Sequence, residues 1–542
     1  MKTTLQFLLF LITCGTFAQI TLEHTYDNGV VTRVKLEYSG EKYYALKYST
    51  NELMFYNADH SLWKTIVLPA SVPNPFATAK VFHISEAKIN PDANLEIIFG
   101  YYNATTSTYE CKVISEDGTV LLTIPNATGA HLDEIPGLPM KLISENSNPN
   151  LISISKVYSV PELALENTYT DGNIKRIKLE NSGEKYYLLD KENQNTKVYN
   201  QNHSLWKTVS LPKPINASYT NIGVISETRI IPDALLEIGY TYSETVNNYP
   251  HYESKIVNEN NVVLITLPNA IKLSISNIEG LTNKLMADCT NISGTSHFAT
   301  SIYDLPSLSL ENTYESQVTR VKLENSGEKY YTSSLLLSYQ VKIYNSNHTL
   351  WKTIDLLPPN NSTFDRYEIT INQLSETKIN PDVLLELSFM YVPKLLLEPY
   401  YNSRIISENG TILVQADGLA GLYLNEIPGL DTKLIGSAYP DLNNNVAFSK
   451  VYSLETLGTT SFNKKTNIFI APNPANSYLN INSLSSPIKE AAIYTMTGAL
   501  VKKETAQIIT KIDVEKLPTG IYIVNLTDFN NQKSTHKITI LH

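Results

Sequence analysis

One ten-residue phrase is written three times in this chain: YNADHSLWKT from Tyr56, YNQNHSLWKT from Tyr199 and YNSNHTLWKT from Tyr344. Trp63, Trp206 and Trp351 within it are the chain's only tryptophans, and they stand 143 and 145 residues apart. Neighbouring phrases keep that interval: LEHTY or LENTY from Leu22, Leu165 and Leu310, RVKLE or RIKLE from Arg33, Arg176 and Arg320, and GEKYY from Gly40, Gly183 and Gly327. SEAKINPDANLE, SETRIIPDALLE and SETKINPDVLLE follow from Ser85, Ser226 and Ser375. A period this long repeats a structural unit, so any fold must be built from three like copies. We place them at 20–162, 163–307 and 308–455.

Within the second copy, IKRIKLE, KYYLLD, TKVYN and LWKTVSLP are short runs rich in β-branched and aromatic residues, separated by the turn formers NSGE, KENQN and QNHS. They read as one four-strand meander. SETRIIPD, LLEIGYTY, YESKIVNE and VVLITLP read as another, and NKLMA, HFATSIYDLP and LSLENTY as strands of a further, shorter sheet. No helical periodicity precedes Glu455. The expected class is all-β, with the three repeats forming a β-propeller-like array of six to nine blades. Three separate β-sandwiches are the alternative.

The first residues, with Lys2, an apolar stretch from Leu5 to Ile12 and TFAQ ending at Gln19, read as a signal peptide over 1–19. Only Cys111 and Cys289 would remain after its removal, at non-equivalent places, so apolar cores and not disulfides must hold the chain together. The formal net charge is −10 without any basic run, which excludes a nucleic-acid partner that would need a cationic patch. Tyrosine is abundant, 35 residues against 14 phenylalanines, and suits both half-buried strands and wet binding faces.

Repeated residues are spread by the repeat, whereas an active site is one asymmetric constellation. His60, His203 and His348 therefore read as structural, with Asn200, Asn202 and His203 holding a hairpin tip while Trp206 packs against a neighbouring sheet. Asp59 and Trp63 of the first copy resemble the Asp box of sialidase-type propellers, though the other copies carry Asn202 and Asn347 in place of the Asp. The carboxyl pairs Asp92 and Glu96, Asp233 and Glu237, and Asp382 and Glu386 read as turn and strand-start residues without the six oxygens of a calcium site. Arg33, Arg176 and Arg320 are each expected to pair within their own unit. No hydrolase, zinc or nucleotide signature occurs, so we assign no catalytic residue, metal or cofactor. A glycoside hydrolase needs only two distant carboxylates, and its candidates would be copy-specific residues such as Asp365, Arg366 or Glu398.

After a polar linker at 456–466, four blocks close the chain: APNPANSYLNI from Ala471, AAIYTMTGALV from Ala491, LPTGIYIVNL from Leu517 and STHKITI from Ser534. In this order and spacing they resemble the type A C-terminal sorting domain of the type IX secretion system of Bacteroidetes, over residues 467–542. The resemblance implies a small Ig-like β-sandwich whose matching positions are Pro472, Asn473, Pro474, Gly498, Gly520, Tyr522 and Lys537. It further implies export through the periplasm by the type IX machinery, with release or attachment to surface lipopolysaccharide once the domain is removed. The repeats themselves are reminiscent of propeller-like cargo proteins of the same bacteria, which implies no activity.

The expectation is therefore a secreted or cell-surface repeat protein that binds an unidentified glycan or protein without catalysis. An extracellular carbohydrate-active enzyme on a propeller scaffold is the alternative.

Overall fold

The computed structural model describes residues 20–542 except 28, 48–49, 70–78, 93, 104–105, 147–152, 291–297, 336–338, 357–366, 381, 383, 394–400, 439–446, 455–467, 484–486, 496–497, 507 and 530–532. The expected signal peptide and linker fall outside these residues. Two compact units emerge, one within Phe17–Glu455 and one containing Thr456–His542. Every regular element described is a β-strand.

Residues 20–454 form nine antiparallel sheets among the described residues, three per copy where the sequence showed two with clarity. In the second copy they cover 175–210, 218–268 and 270–314. Most are four-strand meanders in which consecutive strands pair, the propeller-like arrangement; one sheet is completed by Ile20–Tyr26 from the start of the chain, and one is five-stranded, with Ser334–Leu335 beside Tyr367–Ser375. Alternation drives the pairing: Asn195–Asn200 buries Thr196 and Val198 while its other positions face outward or lie half-buried. Gly183, with φ of 71°, turns the hairpin between Lys175–Leu179 and Gly183–Asp190, a backbone state glycine reaches without a Cβ clash.

The third sheet of each copy takes its last strand from the next copy. Leu165–Tyr169 completes 129–159, Leu310–Tyr314 completes 270–304, and Ile20–Tyr26 pairs with Phe448–Leu454 at the far end of the repeats. Apolar clusters sit between successive sheets, for example Leu179, Val198 and Val209 against Leu236, Ile238 and Tyr240. Tyr26, Val31, Tyr43 and Val451 form one between the last sheet and the first. Cys111 is buried and Cys289 half-buried, and both thiols are free.

The second unit stacks a three-stranded sheet containing Ile468–Ala471, Tyr478–Ser483 and Lys511–Asp513 on a four-stranded one, ordered Leu500–Thr505, Ile488–Thr495, Gly520–Asp528, Lys533–Ile540. They share one core that includes Leu479, Ile493, Tyr522, Val524 and Ile538.

Candidate functional site

In a four-strand meander the first-to-second and third-to-fourth turns lie at one end. The second-to-third hairpin and the passage to the next sheet lie at the other. Most of the triplicated phrases fall on or next to the first end, and their polar groups are consumed there in contacts between sheets.

Arg176 illustrates this. Its side chain is fully buried; Nε donates to Glu184 Oε1 at 2.7 Å across the hairpin, while Nη1 and Nη2 donate to the carbonyls of Asp133 and Pro139 in the preceding sheet at 3.2 and 2.6 Å. Arg33 and Arg320 do the same, with Asn425 and Asp431, and with Ser276 and Thr282. Each arginine thus pairs with a glutamate of its own unit, as expected, and reaches beyond it as well, since a guanidinium has five donors and a single carboxylate cannot satisfy them. Glu227, which the sequence reading passed over, accepts the backbone N–H groups of Asn181 and Ser182 at 2.8 and 2.9 Å and the Ser182 hydroxyl. Glu86 and Glu376 repeat the contact. The signal that could have found it was the Ser-Glu pair kept in all three copies.

The histidines also cross between sheets. His203 Nδ1 lies 2.7 Å from the Tyr169 hydroxyl and its Nε2 3.5 Å from Glu166, both on the preceding sheet's last strand. His60 meets Tyr26 and Glu23, and His348 meets Tyr314 and Glu311, in the same way. Burial lowers the pKa of all three histidines. Asn202 and not His203 ties the turn through its side chain, accepting from the Ser204 amide and hydroxyl, as Asp59 does from Ser61. Trp63, Trp206 and Trp351 are half-buried between two lysine ammoniums each; for Trp206, Lys185 and Lys207 lie 4.8 and 4.2 Å from the ring centroid.

Glu96, Glu237 and Glu386 are fully buried, and neither oxygen of any of them meets a hydrogen-bond partner in good geometry. Burial, followed by the neighbouring Asp92, Asp233 or Asp382, pushes their pKa up to about 8, about 8 and about 9. They are neutral acids at pH 7. Among the described residues, no three His, Cys, Asp or Glu side chains converge as a metal site. Asp365, Arg366 and Glu398 lie outside the described residues.

In the second copy the other end is described except for 291–297, and two cavities open among its described residues. The larger, about 670 Å³, is lined by the passage at Thr170–Lys175, the hairpin at Tyr187–Asn193 and the strand start at Thr220–Ile222. Lys197 beside it bridges Asp171 and Asp190 at 2.8 and 2.9 Å. These acids are copy-specific, since Lys47 and Ser334 stand where Asp190 does. Burial favours the neutral form of Asp190, but hydrogen bonds from Asn193 and Lys197 outweigh it and hold the carboxyl below its ordinary range. The second cavity, about 540 Å³, lies along the hairpin of Glu237–Val246 and Tyr249–Asn258, between Pro212–Pro214 and Pro268–Asn269. Its floor is the Tyr242 hydroxyl bonded to Glu253, with Lys255 3.3 Å from the same carboxylate.

In the second unit, Asn473 clasps the final strand. Its Oδ1 accepts the Thr539 N–H at 2.8 Å and its Nδ2 donates to the Lys537 carbonyl at 3.2 Å. Ala475 continues the contact, giving its N–H to Thr539 and accepting from Leu541. Gly498, at φ of 86°, closes the turn onto Thr495, and buried Tyr522, two residues after Gly520, donates to the Pro518 carbonyl.

Residues 469–541 match the family described as the secretion system C-terminal sorting domain. The C-terminal unit is such a sorting domain. A chain that carries the sorting domain is exported cargo and engages the type IX secretion machinery. No curated protein matches the chain. Among solved structures it is similar to BamB from Moraxella catarrhalis, at 10% identity and TM-score 0.36, covering 69% of this chain and 98% of that one. It is also similar to the Dos1 propeller, at 11% identity and TM-score 0.37, covering 81% and 96%. Neither likeness bears on activity.

Proposed function

We propose that residues 20–454 form one closed nine-sheet propeller that the sorting domain delivers to the cell surface or medium, and that this propeller is a non-catalytic binding module. Its ligand, a glycan or a protein, is engaged at the end made by the second-to-third hairpins and the sheet-to-sheet passages. The observation that carries this reading is the division of labour between the ends. The triplicated Arg, Glu and Trp side chains are tied up between sheets, while the second copy's two cavities add copy-specific side chains such as Asp190 and His251 to shared ones such as Tyr187 and Tyr242. Pairing of Ile20–Tyr26 with the last sheet supports closure.

The acids support binding over hydrolysis. A glycosidase needs a protonated acid facing substrate. Among the described residues, the carboxyls with strongly raised pKa, Glu96, Glu237 and Glu386, are buried under the strand starts, and Asp190 in the larger cavity is shifted the other way. The test incubates the secreted chain with immobilised polysaccharides and surface proteins, scoring retention and soluble product together. Retention without product, lost on substituting cavity residues, is expected. Product release would overturn the non-catalytic reading, and absence of any retention would overturn binding.

A further inference from the structure

Resting on that reading, we infer that the 540 Å³ cavity along the Glu237–Asn258 hairpin is a saccharide subsite that seats the pyranose rings of a neutral glycan. Its volume falls in the usual range of ligand pockets. Rings line the cavity: Pro212, Pro214 and Pro268 are exposed, and the half-buried Tyr252 contributes to the lining. A pyranose presents a C–H face that packs against such rings and an edge of hydroxyls that must be hydrogen-bonded, since a site that leaves them unpaired rejects the sugar. Glu244, His251 and Asn269 supply that polar edge from three separate segments.

Charge argues for a neutral sugar. Glu253 is already engaged by the Tyr242 hydroxyl and by Lys255, and that ammonium lies 5.3 Å from the Tyr242 ring centroid. Lys213, the other cation lining the cavity, stands over the Tyr219 ring at 5.1 Å. A uronic acid would bring its carboxylate toward Glu244 and Glu253, with Lys213 and Lys255 already turned to rings and to Glu253. The first copy keeps part of the floor, with Tyr101 bonded to Glu110 beside Lys112. The third replaces it with Arg404 over Tyr391. The second copy's cavity is thus one version of a place the repeat varies.

The full secreted chain is tested for retention on amylose, mannan and cellulose as neutral polymers, on alginate and polygalacturonate as anionic ones, and on chitosan as a cationic one, at low and high salt. Salt-insensitive retention on a neutral polymer is expected, weakened roughly tenfold in His251→Ala and in Tyr252→Ala. Tyr249→Ala, exposed at the hairpin tip outside the cavity, should bind as the parent does. Tyr252→Ala also removes a half-buried ring from the hairpin, so His251→Ala decides, its side chain being exposed. Neutral binding that ignores both substitutions overturns the cavity assignment. Retention only on charged polymers, abolished by salt, overturns the sugar class and leaves the binding reading standing. Retention on none of them overturns the saccharide; if surface proteins are not retained either, the binding reading falls with it.

Discussion

His203 and Tyr169, thirty-four residues apart, share a hydrogen bond of 2.7 Å that joins two successive sheets, and the pairs His60 with Tyr26 and His348 with Tyr314 reproduce it at the same separation. Each imidazole has its pKa lowered by burial, so the folded chain binds fewer protons than the unfolded one just below pH 6.5. Stability should therefore be complete above pH 6.5 and fall as the pH drops beneath it. Replacing all three histidines with Gln should flatten that part of the melting-temperature profile. Parallel profiles would remove the histidines from the linkage.

The buried acids have the opposite sign. Glu96, Glu237 and Glu386 hold their protons up to about pH 8 or 9, whereas an unfolded Glu releases them near 4.5. The folded state thus binds more protons between those limits, and their contribution is present at acid pH and lost as the pH rises toward 8. The triple Glu→Gln variant keeps the shape and removes the titration, so its stability should overtake the parent's in mildly alkaline buffer. A constant difference at all pH values would count against the assignment.

Arg176→Ala strips a buried carboxylate of its partner and orphans two carbonyls, for an expected loss of about 3–5 kcal/mol in urea unfolding. Arg176→Lys retains the charge without the planar fork and should recover only a minor part. Full recovery by lysine would show that the carbonyl contacts contribute little.

Trp206→Ala should cost toward the lower end of about 3–5 kcal/mol, because the ring packs on the core between two sheets yet is only half-buried. An unchanged melting temperature would transfer the tryptophan from packing to ligand contact.

Removing 467–542 should leave the protein in the periplasm. Asn473→Ala should weaken export in proportion to the loosening of the final strand, read by fractionation and by protease sensitivity of the sorting domain. Normal surface delivery of the truncated chain would contradict the role of this segment.

Strand content, the repeat and the sorting domain were legible because they rest on local signals: alternation, turn residues and phrases recurring at a fixed interval. The third sheet of each copy read as shorter than it is, since its first strand, such as Ala270–Ser276, follows Val263–Pro268 after a single residue and no turn cluster separates the two. Glu227 and the outward half of Arg176 escaped for another reason. Their partners are mostly backbone groups, N–H donors for Glu227 and carbonyl acceptors for Arg176, and a backbone partner leaves no mark in the side chains of the segment that supplies it. The cavities were invisible to the repeat, because residues the copies do not share, such as Asp190 and His251, complete a floor that is partly common.

The loan of one strand from each copy to its predecessor means that the unit of duplication is not the unit of folding. A copy cut out at its sequence boundaries would carry an edge strand belonging to someone else and lack one of its own, so two such fragments could satisfy each other by exchange. Circular permutation at 163 or 308 should be tolerated where excision is not, because it moves the chain ends without breaking the lending circle.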